Sequence, residues 1–174
     1  MSEGDESGSG RRPSYEVPPG ALTEPLADAL VADRFTPRLL ALLSNALVWR
    51  ESHELRRQVG LGTNDWRVVS ALATNPGQSA TAVTSFLGVN KAVVSKSVST
   101  LRDRGLIVLG DGPRGSRPMF LTDAGADMHH VMQPISARGE EIILEGMSAQ
   151  EVTAFDDLLR SMLVRVRTAG AAEG

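Results

Sequence analysis

The chain has 174 residues, 41% of them hydrophobic and 22% charged, with a net charge of −3 and no cysteine. That is enough chain to bury one real core. The missing thiols exclude disulfides, thiolate nucleophiles, zinc–thiolate sites and thiol redox sensing. No apolar run reaches the roughly 18 residues of a membrane span, and the N-terminus lacks a signal-peptide core, so a cytoplasmic protein is expected.

Met1–Gly20 is rich in Gly, Ser, Pro and Glu and is expected to be a disordered arm. Ala21–Asp33 has the spacing of a short helix through Leu22, Leu26, Ala29 and Leu30. Thr36-Pro37 reads as a hydroxyl cap followed by proline at the first helical position. The helix it starts runs to about Arg57 with apolar residues on more than one face, as expected inside a bundle or dimer interface.

Gly60 and Gly62 close that region, and Thr63 is expected to cap a helix over 64–74 with Trp66, Val69, Leu72 and Ala73 inward. Ser79 caps a short helix to about Leu87, Gly88 makes a tight corner, and Asn90 caps the next helix. Two short helices joined through a glycine form a helix-turn-helix candidate. In the second, Val94, Val98 and Leu101 share one face, while the opposite face carries Ala92, Ser95, Lys96 and Ser99 instead of long acid–base pairs. A helix entering a major groove about 12 Å wide needs such small residues for close approach, with lysine and serine to reach bases and phosphates. From the isolated helix, an ordinary surface helix of poor propensity stays open. Charge favours the first reading. From Asn75 to Phe120 there are six basic side chains against two acidic ones, a local +4, while the remainder carries −7.

Leu106–Leu109 and "RPMFLT" flank a glycine-rich turn and predict a hairpin, with Pro118 on an edge. Thr122 caps a helix to about Leu144, bent at Pro134. "SAQE" (148–151) is a capping box opening a last helix with the stripe Val152, Phe155, Leu158, Leu159, Met162 and Val166. A mainly helical fold with a small hairpin wing follows.

These elements, in order, resemble the MarR (multiple antibiotic resistance regulator) family of winged helix-turn-helix transcription factors. The likeness rests on "DWRVV" before the helix-turn-helix, the Ser95-Lys96 core, "LRDRGLI", a wing arginine and "LTDAG", and it covers Thr36 to about Val166. The resemblance implies a winged helix-turn-helix lobe over 59–122 between dimerisation helices at 21–58 and 123–168, with a flexible tail at 169–174. It implies a homodimer joined through Val152, Phe155, Leu159, Met162 and Val166, bound to a near-palindromic operator in double-stranded DNA. Carried over, Ala92, Ser95, Lys96 and Ser99 face the major groove, Lys91, Ser79 and Thr81 lie near phosphates, and Arg114 enters the minor groove. Arg117 is a second wing contact or a solvated strand end. Two departures stand out. Pro113 replaces the family's usual aspartate before the wing arginine, and Lys96 stands where arginine is usual, losing the planar fork.

With no cysteine, no Ser-His-Asp order in a plausible context and no phosphate-cradling glycine loop followed by a helix, neither an enzyme nor a cofactor is expected. Glycines in "GDGPRG" sit inside a hairpin, the wrong place for a nucleotide loop. A protein-binding module, or a DNA-binding dimer without an effector, remains the alternative. His53, His129 and His130 come without clustered carboxylates or thiols, so no metal is expected. Asn45, Trp49 and Ser52 share a stripe bordered by His53 and, with Trp66, are candidates to line a pocket for a small organic ligand such as an aromatic acid. Trp66 fits core packing equally well. A repressor released by such a ligand is the expected behaviour.

Overall fold

A computed structural model of the chain describes residues 16–30 and 34–172. It divides into two units, residues 1–40 and 41–174. The elements in order are α1 (Thr36–Val59), α2 (Thr63–Thr74), α3 (Ala80–Leu87), α4 (Lys91–Asp103), β1 (Ile107–Leu109), β2 (Met119–Leu121), α5 (Asp123–Ile143) and α6 (Ala149–Ala172), with a 3-10 turn at Pro113–Gly115.

In the first unit the helix expected over 21–33 is not formed in its described part. Residues 21–30 make only turns, closed by the Ala21 and Ala29 amides on the carbonyls of Pro18 and Leu26. Leu22, Leu26 and Leu30 are 82%, 61% and 71% exposed, so the stripe has nothing to pack against. A helix this short is marginal without tertiary burial. Residues 31–33 and 1–15, most of the expected arm, lie outside the described residues. The next helix begins at Thr36 itself, with the Phe35 carbonyl accepting from Arg38 and Leu39, so Thr36 is helical rather than a cap.

The second unit is built around α2, which is buried on several sides. Thr63, Trp66, Val68, Val69, Ala71 and Leu72 are buried, whereas Ala73, expected inward, is exposed. The N-cap of α2 is Gly62, not Thr63. The Asp65 carboxylate accepts the Gly62 amide at 2.9 Å, while the buried Thr63 hydroxyl points at the Val48 carbonyl, 3.5 Å away.

Helices α3 and α4 form the expected helix-turn-helix. The Ser79 hydroxyl accepts the Ala82 amide (3.2 Å), and Asn90 accepts the Ala92 amide (2.8 Å). Between them Gly88 has φ +63°, a left-handed conformation that glycine adopts without a Cβ penalty. Val94, Ser97 and Leu101 of α4 are buried, and Val94 and Leu101 join Leu72, Val83 and Ile107 in one core.

Strands β1 and β2 pair antiparallel, Ile107 with Leu121, Val108 with Phe120 and Leu109 with Met119. Met119 also bonds back to the turn before α3, through Gly77 N–H to its carbonyl (2.9 Å) and its amide to the Gln78 carbonyl (3.0 Å). The hairpin is thereby fastened to the helix-turn-helix.

The start of α5 is sewn to the end of the α4–β1 corner. Thr122 Oγ1 donates to the Gly105 carbonyl (2.8 Å) and accepts the Gly125 amide (3.0 Å). Helix α5 continues through Pro134. It is tied to α1 by Arg50, which donates to the Ile135 carbonyl (2.8 Å), and by Ser136, which donates to Glu51. His129 rests on Trp66 with ring centroids 5.2 Å apart; burial first, and then the neighbouring His130, hold its pKa below the usual histidine value. The Ser148–Glu151 capping box is formed, with the Ser148 amide and hydroxyl both 2.7 Å from one carboxylate oxygen. Helix α6 extends to Ala172, past the residue 168 at which a flexible tail is expected, consistent with the high helix propensity of its alanines.

Gly125 leaves no room for a side chain. A Cβ there would lie 2.0 Å from the Leu106 carbonyl oxygen, a backbone atom that cannot swing aside. Gly125→Ala is expected to destabilise the fold by about 1–3 kcal/mol or more, as overpacking does. Thermal unfolding of the variant against wild type measures it; an unchanged Tm would contradict the packing described.

Candidate nucleic-acid interface

A helix buried on one side has one side left for a partner. In α4 the outward residues are Lys91, Ala92, Ser95, Lys96 and Ser99, all exposed. The segregation follows from the 3.6-residue period, which sets Val94, Ser97 and Leu101 opposite them. No acid interrupts the leading part of the face; the first is Asp103, whose carboxylate lies 3.4 Å from the Ser99 hydroxyl and 3.3 Å from Arg102. Thr81 is exposed at the start of α3, whereas Ser79 is only half-exposed and its hydroxyl is already engaged as the α3 cap.

The wing turns at Pro113–Gly115, where proline supplies the first residue of the 3-10 turn. Gly112 is needed beside it, because a Cβ would stand 2.3 Å from the Ser116 hydroxyl and 3.0 Å from its carbonyl oxygen. Arg114 therefore stands at the tip, its side chain lying outside the described residues, and Arg117 is exposed where the chain returns towards β2. Arg104, just past α4, turns the other way and donates to the Val59 carbonyl at 2.9 Å.

The second group of candidates lies on α1. Asn45, Trp49, Ser52 and His53 do line one groove, of about 560 Å³, together with Val48, Arg56 and Arg57. Trp49 is 71% exposed and stacks on His53, with centroids 5.5 Å apart and planes 15° from parallel. Trp66 is not among the lining residues; it is 8% exposed and belongs to the core. Arg56 was not expected in this group, although it continues the Asn45–Trp49–Ser52 stripe by one helical turn. The two arginines differ. Arg57 is bonded to Glu54, whose carboxyl is lowered to about 2 chiefly by that bond and by Gln58, whereas no acid pairs with Arg56 among the described residues. Among the described residues no cluster of His and acidic side chains could hold a metal ion.

On α6, Val152, Phe155, Leu159 and Met162 are half-buried within the chain, and only Val166 of the expected interface residues is open, at 72%. The outward apolar residues are Leu158, Leu163, Val164 and Val166. Leu39, Leu42 and Leu43 of α1 are likewise exposed.

A helix-turn-helix with a bare cationic second helix, braced by a hairpin whose tip carries arginine, defines a winged helix-turn-helix protein. Residues 59–118 match the model of the MarR family. Over that stretch, which is the winged lobe, the chain is similar to the MarR family. Solved structures agree on the fold. A MarR/EmrR family regulator from Acinetobacter sp. ADP1 is 24% identical with a TM-score of 0.73, covering 80% of this chain and 99% of its own. The PcaV transcriptional regulator from Streptomyces coelicolor, in complex with its natural ligand, is 24% identical with a TM-score of 0.65 over 78% of this chain and 96% of its own. A putative MarR family regulator from Listeria monocytogenes, complexed with 26mer DNA, is 16% identical with a TM-score of 0.70 over 75% of this chain and 87% of its own. No curated protein sequence matches significantly.

Proposed function

We propose that this protein is a cytosolic, homodimeric transcriptional regulator that reads a near-palindromic operator and releases it on binding a small organic ligand. The observation that carries the reading is the outer face of α4, where small side chains and two lysines stand exposed opposite the buried Val94, Ser97 and Leu101. Small residues admit the helix to the major groove; Ser95 and Lys96 are placed for base edges, Lys91 and Thr81 for phosphate. Ser79, spent on capping, contributes through the α3 N-terminus more than through its hydroxyl. The reading assigns Arg114, with Arg117 behind it, to the minor groove. The solved Listeria relative bound to DNA supports the same use of the fold. No enzymatic step is assigned to the chain.

Dimerisation is proposed through the terminal helices. Leu158, Leu163, Val164 and Val166 are exposed on α6, apolar side chains of the kind an interface covers. The half-buried Val152, Phe155, Leu159 and Met162 back this face from within, and Leu158, Leu163 and Val166 are its outward contacts.

The ligand reading rests on the α1 groove. The Trp49–His53 stack offers a flat apolar wall, and Asn45, Ser52 and Arg56 offer polar groups to orient an acid. The ligand-bound Streptomyces coelicolor relative supports ligand response on this fold. A ligand that favours a lobe separation other than the roughly 34 Å between successive major grooves would shift the dimer away from DNA.

Three outcomes are expected. In gel-shift titrations on the protein's own upstream DNA, Lys96→Ala should weaken specific binding by about 1–3 kcal/mol. Lys91→Ala should weaken all sequences alike and lower the salt slope by about one. No shift with any DNA at physiological salt would favour a protein-interaction module instead. In sedimentation velocity, Leu158→Asp combined with Val166→Asp should leave a monomer that no longer retards operator DNA, whereas a variant still dimeric would move the interface elsewhere. Aromatic acids that release DNA from wild type should fail to do so with Trp49→Ala or Asn45→Ala; release unchanged in both would remove the groove from the mechanism.

A further inference from the structure

The DNA-facing side of α4 borders a second concavity. A groove of about 580 Å³ opens between the end of α1, the α1–α2 corner and α4. Its polar rim includes Ser52, Arg56, Lys96 and Thr100, with Val48 and Val93 giving apolar walls. Val48, Ser52 and Arg56 line the Trp49 groove as well, so the two adjoin along α1. The one acid on the rim is Asp65, and one of its oxygens is already committed to the Gly62 amide. Among the described residues, neither Arg56 nor Lys96 is bonded to an acid.

Resting on the reading of the Trp49 groove as the site of an aromatic acid, we propose that the carboxylate of that acid reaches into this adjoining groove. There it is held between Arg56 and Lys96. Lys96 is then shared between two anions, the ligand on one side and DNA on the other. Its ammonium rides on a single flexible four-carbon stem. When it is bonded into the groove it is withdrawn from the major groove, and when it is on DNA the groove loses a cation. Ligand and DNA compete for one side chain within one lobe, and the competition is reciprocal. Release by this route needs no change in the separation of the two lobes.

The test measures ligand binding in the absence of DNA, by calorimetry on the full chain, with benzoate and its uncharged counterpart benzamide as probes. Benzoate is expected to bind wild type, and Lys96→Met to weaken it about tenfold, the loss of a charge-assisted hydrogen bond. Arg102→Met, which removes the same charge from the same helix outside the groove, should leave benzoate affinity within about twofold of wild type, the scale of a screened surface charge. Benzamide should bind more weakly than benzoate and be indifferent to Lys96→Met. If Lys96→Met binds benzoate as wild type does while Trp49→Ala does not, the shared lysine is overturned and the Trp49 site stands. If Lys96→Met and Arg102→Met weaken it equally, the effect is general electrostatics and the shared lysine is again overturned. If wild type does not bind benzoate, both readings fall.

Discussion

Everything the α4 face can do depends on how the helix is held from behind. Val94 and Leu101 are at most 1% exposed and pack with residues of α2, α3 and β1. Full burial of each such side chain contributes about 1.5–3 kcal/mol. That anchorage sets the rotation of α4 about its own axis, and a rotation by one residue, 100°, would turn Lys96 and Ser95 away from the front. Ser97, buried at 4% exposure, occupies the same inner face with little bulk. The hairpin serves the same end, because Met119 is bonded into the turn that precedes α3 and Thr122 into the turn that follows α4.

The electrostatics of the lobe are selective rather than merely positive. Adjacent arginines near the end of α1 have different fates: Arg57 is neutralised by Glu54, and Arg56 keeps its charge towards a groove. Arg104 spends its donor on a backbone carbonyl, and Arg102 leans on Asp103. Lys91 and Lys96 are left without acidic partners among the described residues, so a net charge of −3 on the whole chain coexists with an uncompensated cationic front. A carboxylate on α4 one turn earlier than Asp103 would have cancelled it.

The helix-turn-helix was legible in the sequence because its signals are local. Ser79, Gly88 and Asn90 stand at their caps and corner, and the period of α4 separates its two faces without reference to the rest of the chain. The α1 stripe of Asn45, Trp49 and Ser52 was legible for the same reason, and Arg56 lay one turn further along it. Where burial comes from several directions, periodicity loses its meaning. Helix α2 buries Val68 and Ala71 as well as the expected Trp66, Val69 and Leu72, so its inward face could not be drawn as one stripe. Trp66 reads equally as core or pocket until α5 and His129 are laid against it. The leucines at 22, 26 and 30 show the converse, a helical pattern with no surface to receive it. On α6 the stripe was correctly spaced, but which of its two apolar edges turns outward depends on α6's packing within the fold, which spacing alone does not encode.

The bond from Arg104 to the Val59 carbonyl joins the end of α4 to the end of α1 across 45 residues of chain. Its acceptor is main chain, so the tie makes no demand on the side chain at position 59. Its donor is a long side chain at an exposed site, and a short residue at 104 could not span the gap. What this bond demands of the sequence therefore falls on position 104. Drift at Val59 is limited by its packing, whereas drift at Arg104 would loosen the join even though the residue looks, by its exposure, like an interchangeable surface charge.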